Sequence, residues 1–402
     1  MVKYKDSDPE KWMIKEHTKV KHDILSLYLV PWAKILRSFN KRLIILDGFA
    51  GRGEYTENGQ KIVCGSPIIF MDLNLTNLIE DLVCIYVEKD HDNYSNLCEV
   101  LRRRKNDLET RSPNTNMEII ELISEDPIQV NSFISYFTRK YGKSNTETVR
   151  QKSTILLINA DFVSFIESTL SHIDDNNMKI APSFCFIDPF GFHGIPLKII
   201  KRILSLPNTE ILLTFMARDI NRFSPLEQEE KGLEQLFGTK EWKKEIDKKD
   251  ARKFADFYRR TLKSNGVKFV IYFRMFEANR KSVIYYLIHA SNDLKAVELM
   301  KERMKKINVD FTYYGPDNNI LDNKQERLTY GFEEYADELC EQYSGKKITF
   351  DELREETIDS NSFIEKEYRQ IIKQLEMQDR IKILRVDSKR SGIKGRDEIN
   401  FL

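Results

Sequence analysis

The stretch RLIILDGFAGRGEY, residues 42–55, decides how the rest of the chain is interpreted. Its apolar run, residues 43–46, has no helical stripe, which is typical of a strand buried on both faces of a parallel sheet. Asp47 ends the run, and Gly48, Gly51 and Gly53 follow, so the backbone can turn sharply and approach a ligand closely. No Gly-Lys-Ser/Thr sequence follows, which excludes a P-loop. The stretch predicts a strand and a nucleotide-binding loop, although an ordinary strand-to-helix turn has the same pattern.

The composition excludes several classes of protein. A length of 402 residues predicts two or three domains, and a hydrophobic content of 41% is enough for a sizeable core. Lys and Arg number 64 against 63 Asp and Glu, so a net charge near +1 gives no overall attraction to nucleic acid or membrane. The five cysteines include no CxxC pair, which argues against a disulfide framework and against structural zinc. We therefore expect the protein to lie in a reducing cytoplasm and to bind no metal. No apolar stretch is long enough to span a membrane, and the charged N-terminus lacks a signal-peptide core.

Two further apolar runs end beside acidic residues, which argues against an ordinary turn after the first. Residues 82–87, LVCIYV, predict a second buried strand that ends in Glu88, where nucleotide-binding α/β domains place the carboxylate for ribose hydroxyls. Residues 155–158 predict another strand, followed by Asp161, which we expect near an adenine amine. Asp126, after a weaker strand-like run, is the alternative for that role. These acids would meet the glycine loop at one edge of the sheet.

The stretch FCFIDPFGF, residues 184–192, is the second anchor of the interpretation. Its apolar residues lead into Asp188, and Pro189 fixes the direction of the neighbouring backbone. A carboxylate held in this way can accept the hydrogens of a planar exocyclic amine, and Phe190 or Phe192 can stack on the attached ring. Asp-Pro also occurs in plain turns. The other acid-terminated strands favour a catalytic role for residues 188–192.

The chain divides into three predicted parts. Residues 1–40 form an N-terminal helical segment that carries Lys21 and His22, a pair that a solvated helix face would also explain. Residues 41–310 form a Rossmann-like α/β domain with an insertion at about 106–152 and a helical segment at about 226–264. Arg222 follows a further strand of this domain and is a candidate cation on the substrate side, with a salt bridge as the alternative.

Residues 325–402 predict a winged-helix-like domain of three helices followed by a hairpin. Its hairpin tip carries Lys389, Arg390, Lys394 and Arg396, which we expect to contact nucleic-acid phosphates. The third helix adds Lys366, Arg369 and Lys373, although its glutamates dilute the basic face. A small helical domain used for protein contact is the alternative.

The motifs together resemble the three-Cys-motif partner protein family over roughly residues 10–300. The shared elements are Lys21-His22, the DGFAGRGEY loop, Gly65-Ser66-Pro67, Asp188-Pro189-Phe190-Gly191, and Leu236-Phe237-Gly238 with Trp242. More broadly, the glycine loop followed by Asp-Pro-Phe-Gly is similar to class I S-adenosylmethionine-dependent methyltransferases. The Asp-Pro-Phe-Gly form resembles guanine-N2 tRNA enzymes, and it is a variant of the Asp-Pro-Pro-Tyr of adenine-N6 enzymes with glycine in place of tyrosine.

This resemblance implies a Rossmann-like methyltransferase fold that binds S-adenosylmethionine. Gly51 and Gly53 would pass under its methionine part, Asp47 would orient its amino group, and Glu88 and Asp161 would hold the ribose and adenine. On the family motifs, Phe49, Lys21 and His22 belong to the cofactor side, and Asp188, Pro189, Phe190 and Phe192 to the catalytic side. The implied reaction methylates an exocyclic amine of a flipped nucleic-acid base, in phage defence or nucleic-acid modification with a radical-SAM-like partner. The alternative is a catalytically silent scaffold or sensor.

Overall fold

The computed structural model describes the chain except for twelve short ranges: residues 1–12, 58–60, 77, 112–114, 123–133, 141–150, 190, 192–194, 246–249, 278–282, 315–323 and 388–391. Its strands are β1 Arg42–Asp47, β2 Glu54–Glu57, β3 Lys61–Cys64, β4 Asp81–Val87, β5 Thr115–Leu122, β6 Gln151–Ile158, β7 Ser183–Ile187, β8 Thr209–Phe215, β9 Phe269–Phe276, β10 Val283–Ser291, β11 Thr312–Tyr313, β12 Lys347–Thr349, β13 Ile381–Leu384 and β14 Glu398–Phe401.

The helices surround the sheets. They are α1 Glu16–Leu36, α2 Ser66–Met71, α3 His91–Arg111, α4 Phe162–Asp175, α5 Leu197–Ser205, α6 Ala217–Phe223, α7 Glu230–Phe237, α8 Trp242–Glu245, α9 Ala251–Ser264, α10 Leu294–Ile307, α11 Lys324–Tyr343, α12 Phe350–Thr357 and α13 Glu365–Met377. Three of them, α7 to α9, fill the segment predicted to be helical.

One large sheet organises residues 41–313. Its strand order is β11-β9-β10-β8-β7-β1-β4-β6-β5, with β10 antiparallel to both of its neighbours. The chain moves from β1 to one side through β4 and then to the other side through β7, so the order reverses beside β1. In doubly wound sheets such a reversal opens a ligand crevice at the carboxyl ends of the strands. The predicted doubly wound, Rossmann-like α/β fold, followed by a C-terminal winged-helix-like domain, is confirmed.

The central strand β1 is buried on both faces, as its uninterrupted apolar run predicts. Leu43 and Ile45 join the core beneath α1, α3 and α10, whereas Ile44 and Leu46 join the core beneath α4, α5 and α9. The N-terminal segment contributes to the first of these cores, because α1 buries residues such as Ile24, Leu25 and Trp32 in it. These two layers fix the position of the loop that follows β1.

The segment predicted as an insertion contributes an edge strand to the central sheet. β5 pairs in parallel with β6 from Thr115 to Leu122, and Met117 is buried. The polar residues of this strand hid its role, since an edge strand buries fewer of its side chains than a central strand does. Residues 127–141 of this segment lie mostly outside the described residues; their described part includes a short 3-10 turn at Ile134–Phe137. Asp126 also lies outside them.

The C-terminal domain has its own core, which includes Leu339, Phe350, Tyr368, Ile372 and Phe401. Strands β12, β14 and β13 form its three-stranded sheet, in that order. Thr349 caps α12: its hydroxyl accepts a hydrogen bond from the Glu352 backbone N–H, and the Glu352 carboxylate accepts one from the Thr349 backbone N–H. Lys389 and Arg390, at the tip of the predicted hairpin, lie outside the described residues.

Candidate functional site

The candidate site lies at the carboxyl edge of the large sheet, where β4, β1 and β7 are neighbours. Asp47 is the last residue of β1, Glu88 follows β4, and Asp188 follows β7. Because these strands run parallel, their ends meet at one edge. The fold therefore brings together three acidic residues that are far apart in the sequence.

Asp47 forms hydrogen bonds at the start of the glycine loop. Its side chain is fully buried; Oδ2 accepts a hydrogen bond from the Ser66 hydroxyl at 2.7 Å, and Oδ1 accepts one from the Phe49 backbone N–H at 3.2 Å. Burial raises the pKa of the Asp47 carboxyl to about 7, although both hydrogen bonds oppose the shift. Its charge therefore changes close to neutral pH. Ser66 belongs to the Gly65-Ser66-Pro67 element of the family resemblance, and its hydrogen bond to Asp47 connects this element to β1.

Glu88 forms a hydrogen bond with the backbone of the same loop. Its Oε2 accepts a hydrogen bond from the Gly51 backbone N–H at 2.8 Å, and its Oε1 accepts one from the Asp90 N–H at 2.7 Å. The side chain is buried, and this burial raises the pKa of the carboxyl. The end of β4 is thus tied directly to the turn after β1.

The loop glycines have different surroundings. Gly51 has φ +61°, and a Cβ placed there would meet nothing within 4 Å. A Cβ at Gly53, where φ is +85°, would lie 2.9 Å from Leu97 on α3, and a Cβ at Gly48 would lie 2.8 Å from the Phe162 ring. Gly51 alone of these three faces open space, whereas the other two allow close packing within the protein. The sequence had assigned Gly51 and Gly53 the same role.

Asp188 is paired with a lysine from the N-terminal helix. The Lys21 ammonium bonds to Asp188 Oδ2, and the two side chains are 6% and 27% exposed. Burial favours the neutral carboxyl, but the Lys21 charge outweighs it and holds the pKa of Asp188 below its usual value. Asp188 is therefore ionised at neutral pH. The resemblance assigns Lys21 to the cofactor side, and the structure pairs it with Asp188, the catalytic candidate.

Two histidines of α1 lie near this ion pair and are neutral. Burial, followed by the charge of Lys21, lowers the pKa of His22 to about 3 and that of His17 to about 4. His22 Nδ1 has no hydrogen-bond partner among the described residues, and its ring lies 6.0 Å from the Tyr55 ring. His17 Nδ1 lies 3.3 Å from the Tyr285 hydroxyl. Sequence reasoning missed His17 and Tyr285, because no local pattern marks either of them.

Asp161 stands beside the site as a helix cap. Its carboxylate accepts a hydrogen bond from the Ser164 N–H at 3.2 Å and pairs with Lys89 at 3.3 Å. Although burial opposes the shift, these partners hold the pKa of Asp161 below its usual value. The neighbouring Asn159 amide donates to the Glu88 carbonyl oxygen at 2.8 Å, so the ends of β6 and β4 are joined.

The structure describes fewer contacts for the remaining predicted site residues. Pro189 is buried, and the Phe49 ring lies 5.4 Å from the Phe162 ring, while Phe190 and Phe192 lie outside the described residues. Arg222 is exposed on α6, with its guanidinium 5.2 Å from the centre of the Phe223 ring. Among the described residues, no cluster of His, Cys, Asp or Glu is suited to a metal, and no helix is long and apolar enough to cross a membrane.

Exposed basic side chains lie on the winged-helix domain. Lys394 and Arg396 precede β14, and Lys366 and Lys373 lie on α13; all four are exposed and form no ion pair within the described part of the chain. Arg369, by contrast, bonds to Glu365 on the same helix. These four cations are available to a polyanion.

Comparisons with known proteins bear mainly on this C-terminal domain. Residues 318–388 match the family model of the GMT-like wHTH domain. No curated protein matches the chain. Among solved structures, protein LPL1258 from Legionella pneumophila is similar at 11% identity and a TM-score of 0.36, over 72% of this chain and 92% of that one. Trm1 from Pyrococcus horikoshii, solved with S-adenosyl-L-methionine, is similar at 11% identity and a TM-score of 0.33, over 75% and 74%. Structural similarity at this identity and TM-score supports no conclusion about function. The family match covers the GMT-like wHTH domain alone.

Proposed function

We propose that the chain is an S-adenosylmethionine-dependent methyltransferase that acts on an exocyclic amine of a nucleic-acid base. The observation that carries the proposal is the arrangement at the sheet edge: a loop tied to Glu88 with open space at Gly51, beside the ionised Asp188 on the adjoining side of β1. A cofactor loop and an amine acceptor on neighbouring strands are what methyl transfer to an amine requires.

The residues present fit such a cofactor. A ligand can approach the backbone at Gly51, where a side chain would otherwise project, and Glu88 and Asp161 stand at the adjoining strand ends for the ribose and adenine. Asp47, being fully buried, would act on the cofactor's amino group through the loop and Ser66. When bound, S-adenosylmethionine supplies an electrophilic methyl group.

Asp188 would hold the acceptor amine. Lys21 engages Oδ2, and Oδ1 would accept a hydrogen from the amine. Because the Lys21 charge lowers the pKa of Asp188, this carboxylate is a weak base, and its role is to orient the amine and keep its lone pair toward the methyl group. Most of the rate would then come from holding the two reactants at attack distance.

Methyl transfer from labelled S-adenosylmethionine to bulk RNA and to DNA tests this function. The proposal predicts a methylated exocyclic amine among the nucleosides of one of these acceptors.

Cofactor affinity should depend on pH because of Asp47. Its pKa near 7 means that the carboxylate that accepts the Ser66 and Phe49 hydrogen bonds is lost as the pH falls through neutrality. We expect affinity for S-adenosylmethionine to rise from pH 6 to pH 8, by at most about tenfold per pH unit for a single proton. Calorimetry with Asp47→Asn should give a flat profile, and an unchanged pH dependence in this variant would assign the effect to another group.

The winged-helix cations should contribute to nucleic-acid affinity. Replacing Lys394 and Arg396 with glutamine, alone and together with Lys389 and Arg390, should weaken binding and lower the log-log salt slope by about one unit per lost phosphate contact. The exposed Lys231 on α7 provides a control, and Lys231→Gln should leave the slope unchanged. A slope that stays the same in the quadruple variant would favour a role in protein contact.

One observation favours the alternative of a binding module without catalysis. Lys21 already occupies one oxygen of Asp188, which reduces the capacity of that carboxylate to accept both hydrogens of an amine. Cofactor binding without methyl incorporation into any RNA or DNA would support this alternative. The radical-SAM-like partner, the role in phage defence and the cytoplasmic location are proposed on the sequence alone; co-purification of the two proteins after co-expression tests the partnership.

A further inference from the structure

A separate cavity of about 450 Å³ opens at the amino-terminal edge of the large sheet. Its lining includes Thr209 and Glu210, which begin β8, and Ser291, which ends the antiparallel strand β10. Asp188 follows β7 at the opposite edge, so this cavity is distinct from the candidate methyltransferase site. Its volume is within the range of small-molecule sites, about 300–1,000 Å³.

The walls of the cavity are mainly apolar. The C-terminal half of α1 supplies Trp32 and Ile35, α10 supplies Leu299, and the segment between α5 and β8 supplies Leu206. Phe39 stands at the rim with 66% of its surface exposed. A cleft lined mainly by apolar and aromatic side chains is typical of small-molecule sites.

A buried carboxylate lies among these apolar walls. The Glu210 side chain is 6% exposed, and its Oε2 accepts hydrogen bonds from the Tyr28 hydroxyl and from His289 Nε2, the latter at 2.7 Å. A carboxylate has about four acceptor positions, so these two bonds leave Oε1 with capacity for further donors. Glu210 lines the cavity and can offer that oxygen to a ligand.

No basic side chain among the described residues, apart from His289, pairs with Glu210. His289 is fully buried, and its Nδ1 has no hydrogen-bond partner in the described part of the chain. Lys295 lines the rim, but it is exposed and forms no ion pair with this carboxylate in the described part of the chain. Buried charges in proteins are normally paired, and among the described residues Glu210 has no Lys or Arg partner.

We propose that this cavity binds a small organic amine, whose ammonium group pairs with Glu210 and whose apolar part packs against Trp32, Leu206 and Leu299. The ammonium would give Glu210 a cationic partner, and Trp32 adds an aromatic side chain to the same lining. The inference is independent of the proposed methyltransferase activity, because it uses none of that site's residues.

The test is calorimetric titration of the full chain at pH 7.5 with three amines: 2-phenylethylamine, tryptamine and hexylamine. Each is compared with its alcohol, which has the same skeleton and a hydroxyl in place of the ammonium. We expect at least one amine to bind saturably, with its alcohol about tenfold weaker or more, and Glu210→Gln to weaken that amine by a similar factor. Ala296→Phe, which narrows the cavity, should abolish binding of the amine.

Glu302→Gln, on the exposed face of the same helix α10, is the matched control and should bind like the wild type. Thermal melts show whether the Glu210 and Ala296 variants are folded, and the amine-to-alcohol ratio in the wild type does not depend on any variant. Three results would overturn the proposal: no amine binds, amine and alcohol bind equally, or a folded Glu210→Gln binds the amine with unchanged affinity. The last result would leave the Tyr28–Glu210–His289 cluster as a purely structural connection between α1, β8 and β10.

Discussion

The Asp188→Ala variant is expected to transfer methyl groups about 100-fold more slowly than the wild type in a single-turnover assay, because the carboxylate that orients the amine is lost. Its affinity for S-adenosylmethionine should stay within a few-fold of the wild type, since the cofactor loop is held by Glu88 and Asp47. Asp188→Asn keeps the shape and one acceptor oxygen and should be milder. The assay uses bulk RNA or DNA as acceptor, beside a cofactor titration.

Lys21 supplies a control for this prediction. Asp188→Ala leaves the Lys21 ammonium buried without its partner, which is destabilising, so the double variant with Lys21→Met separates folding from catalysis. In Lys21→Met alone, the pKa of Asp188 should rise because the cation that holds it down is gone. The carboxylate would then be lost as the pH falls through the new pKa, so the rate should decline toward acidic pH more than in the wild type. If Asp188→Ala instead loses cofactor binding, Asp188 belongs to the cofactor pocket and the amine-methyltransferase proposal fails.

The Gly51→Val variant is expected to lose binding of S-adenosylmethionine altogether. A side chain at this position projects into open space, which is where the cofactor would lie, and it does not collide with the protein. The positive φ of +61° adds strain of about 1–3 kcal/mol for a branched residue, so some loss of stability accompanies the loss of binding.

A matched control for that strain is Gly345→Val, in the turn after α11. Gly345 has φ +71° and also meets nothing within 4 Å, so the substitution imposes similar backbone strain far from the candidate loop. It should reduce stability without changing cofactor affinity. Gly53→Val is unsuitable for this purpose, because its side chain would collide with Leu97 and Val100 and destabilise the fold itself. Unchanged affinity in a folded Gly51→Val would overturn the cofactor assignment.

Local sequence pattern predicted the elements whose character is local. The apolar runs at β1, β4 and β7 identified strands buried on two faces, and the acid after each run marked the edge at which these strands end. The winged-helix-like domain was likewise predicted from its order of three helices followed by a hairpin. Because these features depend on residues that are close together in the chain, the local sequence is enough to predict them.

Features that depend on distant contacts were not predictable. Lys21 and Asp188 are 167 residues apart, and no periodicity connects a helix near the N-terminus with the end of β7. The different roles of Gly51 and Gly53 depend on the packing of α3 against the loop, which a run of glycines does not specify. The place of β5 beyond β6 also follows from strand pairing, and its polar residues concealed it.

Cofactor binding, on which the proposed function depends, is tested most directly by calorimetric titration of the wild-type chain with S-adenosylmethionine. The arrangement of Asp47, Gly51 and Glu88 predicts one saturable site per chain, with a matching rise in melting temperature. The demethylated product should compete for the same site. Neither heat of binding nor a thermal shift at millimolar cofactor would contradict the methyltransferase proposal.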